Sequence, residues 1–220
     1  MPHKAILFDL DGTLLDTLYD LGDAVNRALS LMGFPTHPLG DYRGFIGDGA
    51  VILITRALPR ENRNETTIRT CLQAFREIYD RNWNVKTRPY DSIPEVLDTL
   101  ATRGMKMAVL SNKPHGLTIR CVTHLLPNCH FDAVLGQREE APRKPNPAGA
   151  LEIAERLHIP PSAFFYLGDS AVDMKTAVAA EMFPVGVLWG FRTADELQEN
   201  GAKVLIDHPS KILDLPEILR

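Results

Sequence analysis

The chain has 220 residues, 45% of them apolar and 24% charged, with a net charge of −4, which suits one large globular domain or a core with a modest insertion. The negative balance gives no general attraction for nucleic acid or anionic membrane, so any anionic ligand needs a local cationic pocket. No apolar stretch approaches the roughly 20 residues that span a bilayer, acids interrupt any secretory signal in MPHKAILFDLDG, and Cys71, Cys121 and Cys129 form no CxxC pair. The expectation is a cytoplasmic monomer or homodimer with no nucleic-acid or membrane partner.

Residues 5–10 read as a short buried strand, nearly continuous in apolar side chains. It ends with Asp9 and Asp11 flanking Leu10, followed by Gly12 and Thr13. Two repelling carboxylates there mean either a solvated turn or a place for a cation. From Leu15 to about Lys86 only helical periods occur. Leu18, Leu21, Val25, Leu29 and Met32 give one apolar face that ends at Gly33, and further helices are expected over 49–58 and 67–83.

From residue 91 onward helices and strands alternate. Helices are expected over 93–103, 114–126, 147–158, 171–181 and 194–200. Strands are expected over 105–110, 131–135, 164–167, 184–189 and 203–206. This alternation predicts an α/β fold with a doubly wound parallel sheet. The core spans 1–15 and 87–220, and residues 16–86 form an inserted α-helical cap over the carboxyl edge of the sheet.

Ligands of such sheets bind beyond the carboxyl ends of the strands. Polar residues gather there four times: Asp9 and Asp11, Ser111 and Asn112, Lys144 in the loop QREEAPRKPNP, and Asp169 and Asp173. Each cluster alone is weak, since a DxD is usually a turn and Ser-Asn or Gly-Asp-Ser usually caps a helix. Four at successive strand ends point to shared chemistry, and phosphoryl transfer suits them. Mg²⁺ takes hard oxygen ligands, here Asp9, Asp169 and a backbone carbonyl near Asp11. Asp9 has a second oxygen for attack on phosphorus. Asp11 would protonate the leaving alkoxide and deprotonate the hydrolytic water, a role favoured by burial near another carboxylate. Ser111, Lys144 and the backbone N–H groups before the 114–126 helix would hold the other phosphate oxygens. The acids Asp9, Asp11, Asp169 and Asp173 together make a metal and phosphate cradle.

Rival motifs fail on spacing. An EF-hand starting at Asp9 needs glycine at Leu14 and glutamate at Asp20, there is no GxxxxGK[ST] loop, and Gly44, Gly47 and Gly49 follow no strand-to-helix turn.

"DLDGT" (9–13 with its Asp9 and Asp11), "LSNK" (110–113), "RKPNP" (with Lys144) and "GDSAVD" (with Asp169 and Asp173) resemble the four motifs of the haloacid dehalogenase-like superfamily, in order and over essentially the whole chain. The resemblance implies a Rossmann-like core, a Mg²⁺-dependent aspartyl-phosphate mechanism and a cap that closes over the substrate. It implies Asp9 as nucleophile, Asp11 as general acid and base, Ser111 and Lys144 as phosphate holders, Asp169 as metal carboxylate, and Asp173 as an acid supporting metal or lysine. Asp11 separates the chain from the dehalogenases, which lack that acid. The stretch 15–85 contains no lysine, which separates it from Schiff-base phosphonate hydrolases.

"YRGFIGDGAVILITRAL" (42–58) and "GVLWGFRTADEL" (186–197) are similar to phosphoglycolate phosphatases, implying hydrolysis of a small phosphomonoester such as 2-phosphoglycolate. A sugar phosphomutase of the same fold and a non-catalytic member are the alternatives. The further substrate contacts expected are Thr13, Asn112, Gly47, Arg43 and Arg56. Asp48 stands where a neutral residue is expected and would oppose a substrate carboxylate unless Arg43 or Arg56 offsets it; a solvated helix face accounts for these arginines equally well. His115, His124, Trp83 and Trp189 are read as packing or surface residues.

Overall fold

The computed structural model describes residues 3–215, and their contacts divide the chain into two compact units, one formed by the stretches up to Leu15 and from Pro89 onward, the other by Asp16–Arg88. In chain order the elements begin with β1 (Ala5–Phe8), β2 (Leu15–Asp16), α1 (Leu18–Leu31), α2 (Tyr42–Phe45), α3 (Ala50–Ala57), α4 (Glu65–Asn82) and β3 (Arg88–Pro89). They continue with α5 (Ile93–Thr102), β4 (Lys106–Pro114), α6 (His115–Leu125), β5 (Ala133–Gln137), α7 (Ala148–Leu157) and β6 (Phe164–Gly168). The last are α8 (Ala171–Ala179), β7 (Phe183–Val187), α9 (Ala194–Glu199) and β8 (Val204–Ile206).

In the first unit the sheet runs β5-β4-β1-β6-β7-β8, and every pairing is parallel. All four residues of β1 are buried although alternate side chains point to opposite faces, so both faces are covered. On one face Ala5 and Leu7 join Ala150, Ile153 and Ala154 of α7. Burying each large apolar side chain in this way stabilises the fold by roughly 1.5–3 kcal/mol. The chain leaves β1 toward β4 and leaves β6 toward β7, so the strand order reverses between β1 and β6. That reversal opens a crevice at the carboxyl ends of these two strands.

β4 runs on to Pro114, past the expected end at residue 110, because an irregularity between Leu110 and Pro114 lets it stay paired with β5. Ser111, Asn112 and Lys113 are therefore strand residues. The two-residue strands β2 and β3 and the four-residue α2 escaped the sequence pattern because none is long enough to display a period.

The second unit is built on α1 and α4. Val25 and Leu29 of α1, and Cys71, Phe75 and Tyr79 of α4, are buried. Asn64 caps α4 by accepting from Thr67 N–H at 3.0 Å. The return of the chain is held by Asp20, whose carboxylate accepts from Lys86 N–H (2.9 and 3.0 Å), Thr87 N–H (2.8 Å) and the Thr87 hydroxyl (2.8 Å). These bonds keep residues 86–88 with the helices, so the division falls at Pro89 and not at residue 87. Among the described residues no helix is long and apolar enough to cross a membrane.

Candidate active site at the carboxyl edge of the sheet

β1 aims Asp9 because the strand continues its pairing one residue further: Asp9 N–H donates to Leu167 O at 2.9 Å. Beyond it the backbone wraps around one carbonyl. Leu10 O accepts from the N–H groups of Thr13 (3.3 Å), Leu14 (3.0 Å) and Leu15 (3.0 Å), while the Leu10 and Leu14 side chains are buried. Gly12 makes the reversal possible at φ +86°, a conformation that disfavours any Cβ. An added Cβ would also run into the carboxylate of Asp169.

Asp9, Lys144, Asp169 and Asp173 are all buried together. Lys144 Nζ lies 2.8 Å from Asp9 Oδ1 and 2.7 Å from Asp173 Oδ1, and donates to Leu110 O at 3.1 Å. Its approach to Asp9 is a charge-assisted contact, and Oδ1 is the Asp9 oxygen that faces the ammonium. Asp169 accepts from the Thr13 hydroxyl at 3.3 Å and from Phe191 N–H at 2.8 Å. Asp173 is the third residue of α8. Its Oδ2 accepts from Ser170 N–H (3.2 Å) and the Ser170 hydroxyl (2.5 Å), and Ser170 Oγ in turn accepts from Asp173 N–H (3.4 Å). This is a capping box, so Gly-Asp-Ser is both a helix start and part of the site.

The charges explain each other. Burial, then the nearby Asp173, push the Asp9 carboxyl up to about 7, although Lys144 opposes the shift. Burial, Asp173 and Asp9 push Asp169 well above the usual carboxylate range. Burial disfavours the Lys144 ammonium, but Asp173 and Asp9 outweigh it and hold its pKa well above the ordinary lysine value. Lys144 pairs with two of the three carboxylates, Asp9 and Asp173, and each of the three has an oxygen within 4.8 Å of the others. A hard divalent cation fits this set: the donors are oxygens, they converge while buried, and the excess charge is negative.

Asp11 is placed differently from the expectation. Its hydrogen-bonding neighbour is the buried ammonium of Lys113, which donates to both of its oxygens at 2.7 and 3.0 Å. Lys113 escaped the sequence reading, since a lysine before a proline at a strand end looks solvated. Asn112, expected to touch substrate, brackets the Lys144 backbone. Its Oδ1 accepts from Lys144 N–H at 2.9 Å and its amide donates to Lys144 O at 3.2 Å. Ser111, buried, accepts from Lys113 N–H at 3.2 Å. Trp189, read as packing, also donates a hydrogen bond from its indole to Thr13 O at 3.0 Å.

Arg43, Gly47 and Arg56 belong to the helical unit. Arg56 Nη1 lies 2.6 Å from Asp48 Oδ2 and donates to Phe45 O at 3.1 Å. The acid at 48 is thus offset by an arginine of α3.

Residues 6–187 match the family described as haloacid dehalogenase-like hydrolase. A phosphoglycolate phosphatase of Psychrobacter arcticus is 31% identical over 224 residues, covering 97% of this chain and 96% of the relative. That of Aquifex aeolicus is 31% identical and covers 86% of each chain. A crystal structure of a candidate phosphoglycolate phosphatase from Lactobacillus delbrueckii subsp. bulgaricus superimposes with a TM-score of 0.93 at 32% identity, covering 98% of this chain and 99% of that one.

Proposed function

This chain belongs to the haloacid dehalogenase-like hydrolase family and is a phosphoric monoester hydrolase, and on that footing we propose that it hydrolyses a small phosphomonoester, 2-phosphoglycolate above others, through an aspartyl-phosphate on Asp9. The observation that carries the reading is Asp9 itself: a buried carboxylate at the strand-order reversal, charge-paired with Lys144 and converged with the carboxylates of Asp169 and Asp173.

Asp9 and Asp169 would hold Mg²⁺ with a backbone carbonyl near Asp11. When bound, the ion neutralises the carboxylates and the substrate phosphate. Asp9 attacks phosphorus, a P–O bond to aspartate forms, and the bond to the alkoxide leaving group breaks. Asp11 gives that alkoxide its proton. It then takes a proton from the water that attacks the aspartyl-phosphate, releasing phosphate and restoring Asp9. Lys144 and Ser111 hold the oxygens that do not move. Asp173, which faces Lys144 through Oδ1 and accepts from Ser170 through Oδ2, supports the lysine beside the ion.

The substrate assignment follows the relatives of about 30% identity over nearly their full length, which carry the name phosphoglycolate phosphatase. Phosphate release from 2-phosphoglycolate, hexose phosphates and nucleoside monophosphates, with Mg²⁺ and with EDTA, tests it. The expected result is the highest kcat/KM for 2-phosphoglycolate and none in EDTA. A hexose phosphate turned over faster would overturn the substrate, and undiminished activity in EDTA would overturn the metal.

A further inference from the structure

Trp189, Gly190 and Phe191 follow β7 and supply no group to the reaction as proposed. We infer that this segment is a positioning wall for the cation site. It locks the Asp169 carboxylate and the 11–13 turn into one arrangement, so that affinity for a divalent cation depends on residues that are not its ligands. The inference rests on reading Asp9 and Asp169 as the cation's carboxylates.

Four observations form a closed circuit. Phe191 N–H holds one Asp169 oxygen at 2.8 Å and the Thr13 hydroxyl holds the other at 3.3 Å. Trp189 Nε1 holds the carbonyl of that same Thr13 at 3.0 Å. Between Trp189 and Phe191, Gly190 passes so close that an added Cβ would overlap the Asp169 side chain and lie 2.5 Å from Gly12 O. The segment thus holds Thr13 by its carbonyl and Asp169 by one oxygen, and the Thr13 hydroxyl closes the circuit on the other oxygen.

The physical need for such a wall lies in the charges. Asp169 is buried beside Asp9 and Asp173, and a freely rotating carboxylate would relieve that repulsion by turning away from them. Fixed donors on both oxygens prevent the rotation and keep the acids converged before any cation arrives. Partners of this kind orient metal ligands, and their loss commonly weakens metal binding by about 10- to 100-fold. Ordinary core packing by Trp189 would need the indole ring but not its N–H, and would place no demand on residue 190.

Calorimetric titration with Mg²⁺ alone distinguishes the two, run on the full chain beside melting curves recorded in EDTA. Trp189→Phe keeps a ring and removes the donor; it should weaken Mg²⁺ binding by about three- to tenfold while leaving the melting temperature in EDTA nearly unchanged. Gly190→Ala should weaken it by about tenfold or more. If Gly190→Ala does not fold, Trp189→Phe and Thr13→Val decide the matter. Folded variants that bind Mg²⁺ as wild type does would overturn the inference, as would losses of affinity that merely track losses of melting temperature. Wild-type protein that binds no Mg²⁺ would instead overturn the metal reading under the proposed function, and this wall with it.

Discussion

Lys113 donates to both oxygens of Asp11, at 2.7 and 3.0 Å, across 102 positions of sequence. The ammonium is buried and the carboxylate nearly so, which puts the pair among those whose halves are costly to separate. Lys113→Met should therefore destabilise the protein by about 3 kcal/mol, read from urea unfolding. Turnover should fall by about 10- to 100-fold with little change in KM, because Asp11 loses the group that orients it. Adding Asp11→Asn to that variant should recover part of the lost stability, and unfolding of the four proteins of the cycle measures the coupling.

Asp9→Asn removes the proposed nucleophile, and hydrolysis of an aryl phosphate should fall by at least about a thousandfold. Its stability should move the other way. The Asp9 carboxyl sits at about 7, pushed up by burial and Asp173, so ionised Asp9 is a strained state of the metal-free protein. Melting in EDTA at pH 8 should show the Asn variant more stable, by on the order of 2 kcal/mol.

The same shift sets a pH dependence. Between the ordinary carboxylate value near 4 and the folded value near 7, folded Asp9 binds more protons than unfolded Asp9 does. Its contribution to stability therefore falls as pH rises through that window, and Asp169, shifted in the same direction, adds to the fall. Mg²⁺ should reverse the effect by favouring the ionised acids. The gap between melting temperatures in Mg²⁺ and in EDTA should widen from pH 5 to pH 7.5, and a constant gap would contradict the assignment.

Arg56→Ala should be mild. The Arg56–Asp48 pair is partly exposed, and pairs of that kind contribute about 0–1 kcal/mol. With the guanidinium committed to Asp48 and Phe45 O, KM for 2-phosphoglycolate should change by less than about threefold. A rise of tenfold or more would return Arg56 to the substrate.

How much of this was legible in sequence varies with the physics of each residue. Asp9 and Asp169 stood out because polar clusters recur at four successive strand ends, each weak alone, and β1 and β6 are wholly buried. Lys144 could be placed on the correct loop, but its pairing with Asp173 joins residues 29 apart and no periodicity announces it. The bonds of Asn112 to the Lys144 backbone were equally out of sight, because an amide facing a loop backbone looks, in sequence, like one facing a ligand. Lys113 and Trp189 were in view and assigned no role in the site. Their roles depend on which strand end lies beside which, and that is decided by strand order.

The capping box at Ser170 and Asp173 has a spectroscopic consequence. The carboxylate that starts α8 is also the one that holds Lys144, so the helix start and the anion-binding lysine share an electron-rich group. Any event that alters charge at Lys144 must be felt by the amides of Ser170 and Asp173. Those two protons form an intrinsic gauge, and their chemical shifts and exchange rates would follow occupancy of the site without an added label.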